Sequence, residues 1–123
     1  MEKERANAYL EKLSRINPKL AHEYVVLLPT LYKPDSGTPY IWLIASENAC
    51  ALITTLSRKP LWQEFEYAYL NSVKLNNNIL HILFEDYGNN PDILLPIDAK
   101  FISQACAARK FITQQIRKYK LME

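Results

Sequence analysis

The sequence predicts an α+β fold: a small, mainly antiparallel sheet of two hairpins, covered by helices in the order α-ββ-α(α)-ββ-α. Three observations predict it. Short apolar runs at 24–28, 40–45 and 79–84 have the length and β-branched content of strands. Clusters of turn-forming residues at 33–37 and 85–92 follow the first and third of these runs. Towards both ends of the chain, apolar residues recur instead at helical spacing.

Residues 2–16 read as an amphipathic helix, with Ala6, Tyr9, Leu10, Leu13 and Ile16 on one stripe and charged residues between them. Asn17-Pro18 ends it, since proline suits the first position of a new turn and not the interior of a helix. Tyr24–Leu28 follows as a strand, and Pro29, which cannot donate to a ladder, places that strand at a bend or a sheet edge. Lys33-Pro34-Asp35-Ser36-Gly37 makes the turn. Tyr40–Ala45 returns as a second strand of the hairpin. Its uninterrupted apolar run suggests cover on both faces.

Ser46 has the side chain of a good N-cap for a helix carrying Ala49, Leu52, Ile53 and Leu56. The segment 60–74 fits two patterns. As a helix it places Leu61, Trp62, Phe65, Tyr69 and Val73 on one face; as a strand it alternates Phe65, Tyr67 and Tyr69 with Glu64, Glu66 and Ala68. Pro60 at a first helical position and the terminating Asn76-Asn77-Asn78 favour the helix. Ile79–Phe84 is a strand, 85–92 a polar turn, and Ile93–Ile97 a short returning strand limited by Pro96. Asp98 then caps a final helix running to about Lys120.

At 123 residues the chain fits a single domain over 1–123, and its 49% hydrophobic content is enough to build one core without staples. The formal charge of +2 is too small to make nucleic acid or an anionic membrane an inference from net charge. No apolar run approaches a bilayer-spanning length, and Met1–Arg5 leads into a polar helix, so a cytoplasmic location with no membrane association is expected. Cys50 and Cys106 form no metal-spaced pair, which points to two buried, reduced thiols inside helices.

Glycine-based phosphate loops are excluded, because Gly37 and Gly88 stand alone. His22 and His81 are the only histidines and read as structural, His81 on the Ile79–Leu83 face of its strand. Pro91-Asp92 followed by Asp98-Ala99-Lys100 resembles the PD…(D/E)xK core of a nuclease superfamily. That resemblance implies divalent-metal hydrolysis by Asp92, Asp98 and Lys100. In that family the carboxylates come from separate strands, whereas here five residues lie between them. A turn at Asp92 and a cap at Asp98 account for the same residues, and no cofactor or metal is assigned.

The last helix suggests a nucleic-acid alternative through Arg109, Lys110, Arg117, Lys118 and Lys120. At 100° per residue, Phe101, Ile102, Ala105, Ala108, Ile112, Ile116 and Tyr119 form the core stripe, and the cations scatter around the rest. Eight tyrosines are a surplus for this length, and tyrosine is enriched at interfaces. Tyr32 and Tyr40 flank the first turn, Tyr67 leaves the polar side of the expected 60–74 helix, and Phe111 falls off the core stripe. The reading that follows is a non-enzymatic interaction module, an adaptor, inhibitor, immunity-type or chaperone-like accessory protein. It binds an unidentified protein partner, or its own copies as a homo-oligomer, through Tyr32, Tyr40, Tyr67 and Phe111.

Overall fold

The computed structural model describes Glu11, Arg15 and residues 23–31, 41–54, 62–85 and 91–121; of Ile53, Thr54 and Trp62 the backbone alone is described. Most of the helix expected over 2–16 and the turn at 33–37 lie outside these residues, as does His22. The described chain forms two antiparallel sheets and one C-terminal helix, which replaces the expected helix-covered pair of hairpins. The first sheet has the order β1 (Val26–Pro29), β2 (Ile41–Ala45), β3 (Ala49–Thr54), β4 (Trp62–Glu66); the second has β5 (Leu70–Asn76), β6 (Ile79–Phe84), β7 (Ile93–Pro96).

The first hairpin forms as its sequence predicts. Leu28 pairs with Leu43 and Val26 with Ala45, and β1 lies at the sheet edge where Pro29 costs no ladder bond. All five residues of β2 are buried, so its apolar run is covered on both faces.

The helix expected after Ser46 is instead β3. Ser46 does bond the backbone N–H two residues on, at 3.2 Å to Asn48, which is the bond an N-cap would make. Here it closes a tight turn: the Ser46 N–H donates to the Ala49 carbonyl at 2.9 Å, and Cys50 pairs back with Ala45. The same side-chain chemistry serves helix starts and hairpin turns. The outcome is set by β2, whose open ladder takes Ala49–Thr54 as its partner.

The helix expected over 60–74 is also overturned. The chain makes β4, a 3-10 turn at Tyr67–Tyr69, and β5. The alternating pattern wins because it buries Phe65 and Tyr67 while leaving Glu64 and Glu66 in solvent. The 3-10 turn then carries the chain from the first sheet to the second. Asn76-Asn77-Asn78, read as a helix terminator, is a hairpin turn with φ of 51° at Asn77 and 61° at Asn78, a left-handed pair that asparagine tolerates.

β6 and β7 appear where expected, antiparallel to each other, with Leu80 opposite Leu95. Asp98 caps a 3-10 turn at Ala99–Phe101, its carboxylate accepting from the Lys100 N–H at 3.1 Å, and this leads into the helix Ile102–Leu121. That helix rests on β5, the Tyr67–Tyr69 turn and β1, and so touches both sheets. Its buried residues are Ala105, Ala108, Ile112 and Ile116 of the expected stripe, and also Gln115, which the stripe did not include.

One hydrophobic cluster draws residues from all seven strands and the helix. Phe65 of the first sheet meets Phe84 of the second edge to face, with ring centroids 5.1 Å apart. At the opposite corner, the Leu31 N–H donates to the Pro96 carbonyl at 2.7 Å and joins the end of β1 to β7. No described helix is long and apolar enough to cross a membrane.

Candidate functional site

A strand's side chains alternate between faces, and in β6 the inward set is Leu80, Ile82 and Phe84, all buried. The outward set is Ile79, His81 and Leu83, each partly exposed. Pairing extends this outer face to both neighbours: Lys74 on β5 and Leu94 on β7 flank His81, and Ser72 lies beside Leu83. Leu94 is 51% exposed. Asp92, just before β7, accepts from His81 Nε2 at 3.2 Å across the face when the imidazole is protonated there.

Antiparallel sheets with one wet face normally alternate apolar-in and polar-out. β6 reads Ile-Leu-His-Ile-Leu-Phe, apolar at both parities except His81, and β7 adds Leu94 on the outer side. The comparison with β2 is direct. Both strands are apolar on both faces, yet β2 is buried throughout while the outward residues of β6 remain partly exposed. The three-stranded sheet therefore presents an apolar surface, Ile79, Leu83 and Leu94, bordered by a cation at Lys74 and an anion at Asp92.

The residues singled out from sequence fall elsewhere. Tyr32 and Tyr40 lie outside the described residues. Tyr67 is a correction: it has no exposed surface, because it ends β4's inward alternation and does not project from a helix. Its hydroxyl donates to the Ser46 carbonyl at 2.5 Å, pinning the β2–β3 turn to the 3-10 turn, and burial drives its ionisation far above the ordinary range. Phe111 is partly buried and packs on the core, so it meets other elements.

Asp92, Asp98 and Lys100 are engaged separately: with His81, with the Lys100 backbone, and with the Phe101 ring 5.2 Å from the Lys100 ammonium. Among the described residues no group of three His, Cys, Asp or Glu side chains is arranged to hold a metal. Of the helix cations, Lys110, Arg117 and Lys118 are exposed, Arg109 is partly buried, and Lys120 sits 2.7 Å from Glu85. That contact and a bond from Asn71 hold the Glu85 carboxyl below its usual range.

The cysteine expectation is half corrected. Cys50 is buried, in β3, and burial, followed by the Glu64 carboxylate, pushes its thiol up to about 12. Cys106 is on the helix as expected but exposed.

The outer face of the second sheet was not singled out in advance. The available signal was Ile79–Phe84 itself, a run whose apolar residues fall on both parities in a strand that has only one core to cover. The chain matches no family model and no curated protein.

Proposed function

We propose that this chain is a non-enzymatic protein-interaction module that binds a protein partner through the outer face of its three-stranded sheet. The observation carrying this reading is the doubly apolar β6, whose outward residues remain partly exposed, beside the exposed Leu94. An apolar surface framed by charge is the pattern of an interaction site, with the apolar centre supplying affinity and the flanking charges register. Ile79, Leu83 and Leu94, rather than the tyrosines, form this surface.

The test compares proteins retained by the tagged chain with those retained by Leu94→Lys and by the control Leu121→Lys, whose leucine is 86% exposed at the far end of the helix. Each variant is first checked for an unchanged circular dichroism spectrum. A partner kept by the parent and the control but lost by Leu94→Lys supports the reading. Retention unchanged by Leu94→Lys overturns it.

A further inference from the structure

Resting on that reading, we propose that the occupant of this face is a second copy of the chain, docked face to face about a two-fold axis running along β6. A two-fold contact places the same patch on both partners, so the patch must be complementary to itself. This one is. Its cation, Lys74, stands on one outer strand, β5, and its anion, Asp92, adjoins the other, β7. Rotation about the central strand carries β5 of one copy over β7 of the other. Each Lys74 then stands over its partner's β7, beside Leu94, to which it is joined in register through His81.

Distances agree with this placement. Asp92 lies two residues before Leu94, or about 7 Å along the strand, and face-packed sheets sit about 10 Å apart, with side chains filling the gap. A lysine side chain spans the remaining separation. The same rotation sets Ile79, His81 and Leu83 against their own counterparts, giving a centre that is apolar but for His81, with two Lys–Asp pairs at its borders. A two-fold axis across the strands at the level of Lys74 would instead set β5 over β5 and bring the two Lys74 cations together.

A face three strands wide belongs to the small end of interface sizes, so the dimer is weak and depends on concentration. The experiment is sedimentation velocity of the full chain from about 10 µM to 1 mM, a range that brackets weak self-association. Four variants are run beside it: Leu94→Lys, Lys74→Glu, Asp92→Lys, and the double exchange Lys74→Glu with Asp92→Lys. The expected result is a parent dimer, a dissociation constant raised at least about tenfold in each single variant, and recovery in the double exchange. Loss of the internal His81 contact does not by itself account for such a pattern, since the double exchange loses it too.

Three results overturn the proposal. A dimer insensitive to Leu94→Lys places the contact elsewhere. Single variants that weaken a dimer which the exchange fails to restore remove the two-fold pairing. A monomer at every concentration removes the second copy as occupant. In that last case Leu94-dependent capture of another protein leaves the interaction reading standing, and its absence ends both.

Discussion

Tyr67 shows how much of this fold turns on single polar contacts inside the core. Its ring fills the space beside the C-terminal helix, 6.2 Å from the Tyr119 ring, and its hydroxyl satisfies the Ser46 carbonyl at the β2–β3 turn. Tyr67→Phe keeps the ring and strands that buried carbonyl. The expected loss is about 1–3 kcal/mol, read from the urea midpoint, with no change in self-association. The thiols separate in the same physical terms. Cys50 is held neutral by burial, whereas Cys106 is open to solvent. Titration with a thiol reagent at neutral pH should modify one cysteine in the native protein and the second only after denaturation. Equal rates for both would contradict the burial of β3.

At the scale of elements, the legible parts were those whose local chemistry allows one answer. Pro29 confines β1 to a bend or an edge, Asp98 suits the cap of the turn that follows it, and Ile79–Phe84 is too short and too apolar for a surface helix. The misread parts carry signals shared by two structures. Ser46 caps a turn as well as a helix, and Phe65 and Tyr69 satisfy the helical and the alternating pattern at once. The open ladders of β2 and then β3 decide between them, which the local residue pattern does not carry. The candidate site was missed for a related reason: alternate positions of β6 are apolar on both faces, and sequence does not say which face stays uncovered. The Asn77-Asn78 turn gives a direct check on the revised assignment. Asn78→Val puts a β-branched side chain at positive φ and should destabilise by about 1–2 kcal/mol, measured by thermal unfolding. Unchanged stability would contradict the left-handed conformation at Asn78.

For the molecule as a whole, Lys120 and Glu85 link the end of the C-terminal helix to the end of β6. The carboxyl of Glu85 is depressed in the folded state by the Lys120 contact and then by Asn71. A depressed folded value means the contribution is fully present above the unfolded carboxylate range and is lost as pH falls through the folded one. The urea midpoint of Glu85→Gln should therefore lie below the parent's at neutral pH, and the two should converge in acid. A gap that widens in acid would reverse the assignment. The pair is solvated, so the shift is small and shrinks with added salt.

The corner where the Leu31 N–H meets the Pro96 carbonyl has a kinetic consequence. Every strand ladder described joins neighbours in sequence, β1 to β2 through β4 and β5 to β6 to β7, so each sheet can assemble from local contacts. Among the described backbone hydrogen bonds outside helices and strands, that of the corner spans the most sequence, and both strands meeting there finish in proline, which leaves the seam few donors. Closing it, like docking the helix on β1, carries a larger loop entropy than any of the strand ladders, which puts it after the folding barrier. Leu31→Pro, which deletes the donor, should raise the unfolding rate in stopped-flow denaturation while leaving the folding rate nearly unchanged. The clasp between the two sheets then sets how long the native state lasts, and the hairpins set how fast it is reached.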